Sequence, residues 1–430
     1  MPRRNFLVLV TMTAVALLCH QRVQKNPYAR PLANAMTMIE NQYFEPISAQ
    51  SLFDGAMGGM IGKLDEHSAY ISPAELQGFQ ETVDQQFTGV GLSVALDPQT
   101  KQLMVLGPLV GSPAYKAGVR AGDRLLRING DSTQGMSLQE AVQLLRGKAG
   151  DPVTLAVLHE GETKPAEMKI VRAVIHVDSV LGDTRNADGS WNFFLEGHQR
   201  LGYIRISSFT DATAGELERA LDALAEHDAR GLVLDLRDDP GGYLDAAVDI
   251  CDLLIDSGVI VTTRGRDGRI ERSYLASGKG RFTDFPLVVL VNQQSASAAE
   301  IVAACLKDHH RATIVGQRSY GKGTVQRVID LEKNCGALKL TTASYWRPSG
   351  KNIQRPPNAG ADADWGVSPD PTGKVDLTAE EQNRWRAWRA ERDQPPSAAN
   401  GNGKNPAEPF VDRPLQRAVE IVEKEAAAKQ

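Results

Sequence analysis

The segment PLVVLVNQQSASAAEIVAACL, residues 286–306, leaves few options for local structure. Leu287 to Val291 is an unbroken run of branched apolar residues. It is long enough for a buried strand and too short for a helix. Asn292, Gln293 and Gln294 end the run. Ser295, Ala296 and Ser297 then lead into Ile301, Val302, Cys305 and Leu306, spaced as one face of a helix. Ser297 stands three residues before Glu300, the spacing of a capping box. A hydroxyl thus falls where strand becomes helix, in the positive field of the helix N-terminus and beside backbone N–H groups without intrahelical acceptors. That place suits attack on a carbonyl with stabilisation of the oxyanion. On this stretch alone, capping is the simpler account of both serines.

The surrounding chain alternates strand and helix. Leu201–Phe209 reads as a strand, and Thr213–Glu226 as an amphipathic helix with Leu217, Leu221 and Leu224 on one face. Gly231–Arg237 reads as a buried strand closed by Asp238-Asp239-Pro240-Gly241-Gly242, and Leu244–Ile255 as another helix. Strands follow at Val259–Thr263, Thr313–Val315 and Leu338–Tyr345. The pattern predicts a largely parallel sheet with crossover helices, whose ligands gather at the strand C-terminal ends. The 238–242 loop and the 292–297 loop both lie at such ends.

Lys322, in Ser319-Tyr-Gly-Lys-Gly-Thr-Val-Gln326, follows the strand ending near Gly316 and so shares this location. A desolvated lysine loses its proton more easily and can serve as a base, although an exposed loop is the commoner place for one. Gly321 and Gly323 permit a close or unusual backbone path there. No histidine accompanies Ser297 in a triad pattern. His309 and His310 read as a solvated helix end and His67 as a turn or cap residue. Ser319 and Lys322 form an S-x-x-K pattern, but two glycines interrupt it and the companion S-D-N and K-T-G motifs are missing.

At 430 residues the chain calls for two or three domains. We divide it into 1–24, a signal sequence or membrane anchor; 25–84, helical; 85–173; 174–372; and 373–430, a partly disordered tail. Arg3 and Arg4 before the uncharged apolar run Phe6–Leu18 imply export, with anchoring favoured by the lack of a small-x-small cleavage site. A lipoprotein reading through Cys19 is weak, because Leu17 and Leu18 are bulky. The four cysteines make no framework, and without CxxC or HExxH no metal or cofactor is implied. A net charge of −5 argues against a nucleic-acid partner. Residues 394–409 read as disordered. Asp412–Ala427 reads as a helix with Asp412 as cap and Leu415, Val419 and Val422 on one face, its role not legible.

Two resemblances follow from the motifs. Phe87 to about Val171, with FTGVGL, SPAYKAGVRAGDRLLRING and the helix capped by Ser137, resembles a PDZ domain. Such a domain adds a peptide as an extra strand and holds its terminal carboxylate with loop N–H groups, here those of Val90, Gly91 and Leu92. LDLRDDPGGYLDAAVDICDLL, VNQQSASAAEIVAACLKD and GQRSYGKGTVQ, with YFEP and LDEHSAYISPAE, resemble the C-terminal processing peptidases over residues 41–370. The resemblance implies a crotonase-like mixed α/β core with a parallel sheet and crossover helices, beside a PDZ domain and an N-terminal helical region. It implies Ser297 as nucleophile, Lys322 as general base 25 residues later, and Gln326 as the residue that orients the lysine. Backbone N–H groups of Gly242 and Ala298 would form the oxyanion hole. The implied substrates are proteins or peptides with free C-termini. A regulatory protein, homo-oligomerisation and N-terminal membrane anchoring are compatible with it. Asp239 stands where the family usually has Asn, which puts a charge near the oxyanion site. The alternative is a catalytically inactive PDZ adaptor on a protease-like fold.

Overall fold

The apolar run Leu287–Val291 is an inner strand of a five-stranded sheet. The computed structural model describes residues 26–97, 100–198, 200–278, 280–332, 334–360, 363–394 and 410–429. They fall into two compact units. One joins the described residues up to Leu76 with Gln326–Thr341. The other joins Gln77–Val325 with the described residues from Thr342 onwards. The N-terminal apolar run and most of the 394–409 segment lie outside the described residues.

In the first unit, helices Ala29–Gln42 and Ala49–Ile61 precede a short strand, Ala69–Ile71, antiparallel to residues 337–339. The sequence predicts helix here with a break at the polar stretch Asp65-Glu66-His67-Ser68, and the break is present, followed by a strand rather than more helix. The interruption comes from Asp65, whose carboxylate accepts the N–H groups of His67 at 2.9 Å and Ser68 at 3.0 Å and the Thr341 hydroxyl at 3.0 Å. These bonds favour a turn over helix, and His67 is a turn residue as its context suggests.

The second unit opens on an antiparallel sheet: β1 (Leu92–Leu96), β2 (Leu103–Pro108), β3 (Arg124–Ile128), β4 (Pro152–Leu158) and β5 (Ala166–Val171), in that spatial order. Helix α1 (Leu138–Leu145) starts at Ser137. The Ser137 hydroxyl accepts Glu140 N–H, and the Glu140 carboxylate accepts Ser137 N–H, a complete capping box. Asn129 and Gly130 both have positive φ, 53° and 91°, at the turn after β3, as a tight hairpin turn needs. Strand β1 is at the edge of the sheet, so a row of its backbone groups is unpaired within it.

The mostly parallel sheet holds β6 (Val180–Leu181), β7 (Leu201–Ile206), β8 (Gly231–Asp235), β9 (Leu287–Val291) and β10 (Thr313–Gly316) in sequential order. The last four are mutually parallel, and β6 is antiparallel to β7. Helices α2 (Thr213–Glu226), α3 (Leu244–Leu254) and α4 (Ala298–Asp308) supply crossovers. Alternate strand residues serve two cores. Leu232, Leu234, Val289 and Val291 pack with α2, α3 and α4. Tyr203, Val233, Val288 and Leu290 pack with Leu415, Ala418, Val419 and Val422. Burial of both faces explains why these strands read as unbroken apolar runs.

The second face is covered by α6 (Arg413–Ala428), the terminal helix whose role the sequence leaves open. Helix α5 (Ala379–Arg392) precedes it and is absent from the sequence reading, since its apolar positions are few and it is rich in charge. A buried charge network ties these helices to the sheet. Arg237 pairs with Asp235 at 2.6 Å and with Asp412 at 2.9 Å, and its guanidinium lies 4.4 Å from the Trp385 ring centroid. Burial alone would raise the Asp235 carboxyl, but Arg237 and the Tyr203 hydroxyl hold it below the ordinary carboxylate range. Asp412 also caps α6 by accepting Leu415 N–H at 3.1 Å. Replacing Asp412 by Ala is expected to cost about 3 kcal/mol in urea unfolding, because it leaves half of a buried pair and an open helix end. A loss below about 1 kcal/mol would refute the pairing as a stabilising element.

Candidate active site

Strands β8, β9 and β10 are parallel and adjacent, so the loops leaving their C-terminal ends converge. The middle loop, 292–297, bonds to both neighbours. Toward the 238–242 loop, Ala296 N–H donates to Asp239 C=O at 2.9 Å, and the Ser295 hydroxyl donates to Leu236 C=O at 2.7 Å. Asn292 and Asp238 exchange two bonds, at 2.8 and 3.0 Å. Toward the 317–323 loop, Tyr320 N–H donates to Ser295 C=O at 2.9 Å. Ser295 is therefore a structural pin.

Ser297 immediately precedes α4 with φ 55° and ψ −113°, a conformation that is costly for a residue with a side chain. Its turn is held from outside. A Cβ on Gly241, whose φ is +92°, would lie 2.7 Å from Ala296 O and 2.8 Å from both Ala298 N and Ser297 Cβ. Only glycine lets the Pro240–Gly242 backbone approach so closely. Gly242 continues into a parallel bridge with Phe209. Ala298 is the first residue of α4, where backbone N–H groups have no intrahelical acceptor.

Glu300, one turn into α4, links this elbow to the lysine loop. Its carboxylate is wholly buried and accepts four donors. One oxygen takes Ser297 N–H at 2.9 Å and Lys322 N–H at 2.8 Å. The other takes the Ser319 hydroxyl at 2.5 Å and Gly321 N–H at 2.6 Å. Burial pushes this carboxyl above its ordinary value, and the four donors offset that only in part. The expected capping bond from Glu300 to the Ser297 backbone is present, and three further bonds turn a cap into a junction. Ser319 also accepts Val367 N–H at 2.7 Å, which gives the serine of the S-x-x-K pattern a structural role.

Lys322 is half-buried between two glycines. A Cβ on Gly323 would lie 2.2 Å from Gln354 N, so the loop runs against the 352–355 backbone at a distance only glycine allows. Arg355 N–H donates to Gly321 C=O at 2.8 Å and Gly323 N–H to the Gln354 side chain at 2.9 Å. Gln326 belongs to the other unit, on the strand Thr324–Asp330, where its amide donates to Thr341 Oγ1 at 3.2 Å.

Two sequence expectations need correction. Asp239 is expected from the sequence to place a charge near the oxyanion loop, and its surroundings disfavour that charge. It is wholly buried, and burial raises its carboxyl well above the ordinary range. His309 does not end α4 in solvent. It is half-buried, packs against Gly258 and hydrogen-bonds Val259 C=O at 2.7 Å through Nε2. In the PDZ region, the carbonyls of Val90 and Gly91 accept Ala114 and Leu109 N–H, both at 2.9 Å, and Leu92 begins the edge strand β1. These carbonyls are thus tied into the fold.

Glu300 escapes sequence reasoning except as a cap. Its four partners come from the elbow and from a loop some twenty residues away, and only the fold reveals them. Glu300→Gln places an amide among four donors, and it is expected to cost about 2–4 kcal/mol in urea unfolding. A variant as stable as the parent would mean that those donors have other acceptors.

Comparison with known proteins agrees with this architecture. The Peptidase family S41 model matches residues 200–371, and a PDZ domain model matches residues 104–158. The carboxy-terminal-processing protease of Bartonella bacilliformis is 39% identical over 320 residues, covering 74% of this chain and 70% of that protein. The carboxyl-terminal-processing protease of Synechocystis sp. is 38% identical over 304 residues, covering 70% of this chain and 68% of that one. A solved photosystem II D1 C-terminal processing protease aligns at 29% identity with a TM-score of 0.46, over 82% of this chain and 94% of that one. The chain, with its mixed α/β core and PDZ domain, belongs to the carboxy-terminal processing proteases of peptidase family S41, which makes it a serine-type protease.

Proposed function

We propose that this chain is an exported endopeptidase that selects proteins by their free C-termini through the PDZ domain and cleaves them with a Ser297–Lys322 dyad. The observation that carries the reading is the junction at Glu300, which fixes the backbone of Ser297 and that of Lys322 to one carboxylate. In the proposed reaction the Ser297 Oγ attacks the scissile carbonyl while its proton passes to a neutral Lys322 amine. N–H groups of Gly242 and Ala298 hold the oxyanion. The tetrahedral intermediate collapses, the C–N bond breaks, and Lys322 returns the proton to the leaving amine. Water then attacks the acyl-enzyme, Lys322 takes its proton, and Ser297 recovers it. Gln326 enters as the residue that orients the lysine on the strength of the family resemblance. Val90, Gly91 and Leu92 supply the carboxylate-binding N–H groups.

Export, and anchoring by the residue 6–18 run, belong to the same proposal, as do an activating or restraining partner protein and self-association. Removing residues 1–24 is expected to move the chain from the extracytoplasmic or membrane fraction to the cytoplasm. An unchanged distribution would overturn the export reading.

The decisive assay uses an unstructured protein ending in apolar residues. Ser297→Ala and Lys322→Ala are each expected to lower kcat/KM by about 10³-fold or more, and Gln326→Ala by about tenfold. Amidating the substrate's C-terminus is expected to raise KM. If wild type and both dyad variants are equally inert while tail binding persists, the adaptor reading replaces this one.

A further inference from the structure

The 238–242 loop contains a group that the proposed mechanism does not use. Asp239 is wholly buried. Its Oδ1 accepts Gly241 N–H at 2.8 Å, and its Oδ2 is buried without a hydrogen-bond partner. Among the described residues it forms no salt bridge, and its neighbours Asp238 and Arg237 are paired elsewhere. Asp238, next in the chain, pairs with Arg386 of α5 and with Asn292. Arg237 pairs with Asp235 and Asp412. Glu300, on the helix that follows Ser297, is occupied by its four donors, one of them the backbone N–H of Lys322.

A carboxylate here would be an isolated buried charge with one N–H donor for two oxygens. A neutral acid leaves only one polar atom unpaired, which costs far less. The same residue shapes the oxyanion loop. Its side chain holds Gly241 N–H, its carbonyl holds Ala296 N–H, and Gly241 touches Ser297 and Ala298. An ionised Asp239 would have to draw in water or swing out, and either movement carries Gly241 away from Ser297.

We propose that Asp239 is kept as a neutral carboxylic acid and is a positioning residue, so that the Pro240–Gly242 loop stays assembled against Ser297 only while that acid holds its proton. The activity half of this inference rests on the Ser297 reading above. The protonation half does not.

The sign of the effect is fixed by linkage. Burial raises the folded-state carboxyl above its unfolded value of about 3.9. As pH rises through that unfolded value, the unfolded chain releases the proton and the folded chain keeps it, so stability falls as pH climbs toward the folded value. Asp239→Asn retains the acceptor for Gly241 and cannot ionise.

The test compares wild type, Asp239→Asn and Asp239→Ala in full-length protein. Urea midpoints are measured from about pH 5 to about pH 9. The gap by which Asp239→Asn exceeds wild type is expected to widen with pH, and parallel curves would overturn the neutral acid. In the cleavage assay, Asp239→Asn is expected to stay within about threefold of wild type near pH 7 and to keep its activity at an alkaline pH where wild type declines. Asp239→Ala, which removes the acceptor, is expected to lower kcat at least about tenfold with KM little changed. Alkaline limbs that coincide in wild type and Asp239→Asn would overturn the positioning role. Absence of any Ser297-dependent cleavage would overturn that role together with the dyad, while the urea midpoints would still decide the protonation state.

Discussion

The site depends on one buried carboxylate, that of Glu300, which forms no salt bridge among the described residues. Removing the Glu300 charge from water costs several kcal/mol. Four hydrogen bonds to a charged acceptor contribute about 1.5–3 kcal/mol each, which is enough to win while all four are made. Losing one or two would bring the terms close to balance. The four donors come from the elbow before α4 and from the loop around Lys322. The order of those two segments is therefore cooperative. A small shift in either leaves the carboxylate under-solvated, and a close-packed interior offers it no substitute.

A second electrostatic layer supports the first from behind. Arg237 stands just before the Asp238–Gly242 loop and is clamped between Asp235 and Asp412 under the Trp385 ring. Arg389 and Arg392 of α5 grip the buried Asp183, and Arg386 grips Asp238 in the loop itself. Every one of these carboxylates has an arginine partner, and their planar guanidinium groups suit bidentate pairing in low dielectric. Asp239 is the exception. The loop thus combines a partly exposed carboxylate paired with arginine and a wholly buried neighbour for which burial favours the neutral form.

Much of this architecture was legible from periodicity. The run Leu287–Val291 and the helix Thr213–Glu226 occupy the residues the pattern picks out. Both cores demand apolar side chains at fixed spacing, and such demands leave a trace in the chain. The helix at Ala379–Arg392 left none, because arginine pairs and one buried tryptophan hold it rather than an apolar stripe. The convergence of the three loops followed from strand order. The sharing of Glu300 did not, because a hydrogen bond to a distant backbone N–H selects a fold and not a residue type. For the same reason His309 read as solvated: its partner is a carbonyl fifty residues away.

The late position of α6 has a consequence for how the molecule comes into being. Asp412 is 175 residues beyond Arg237, and the helix it caps covers one whole face of the central sheet. A ribosome that has finished the strands has not yet made the element that buries them. Until residues 412–422 emerge, Arg237 lacks one of its two anions, and Tyr203, Val233 and Leu290 lack their partners Leu415, Ala418, Val419 and Val422. Domains commonly fold from the N-terminus as synthesis proceeds, so the antiparallel sheet of β1–β5 can close early. The mostly parallel sheet must wait for residues 412–422. An incomplete chain could carry a closed β1–β5 sheet ahead of a core that still lacks the residues packed on its second face.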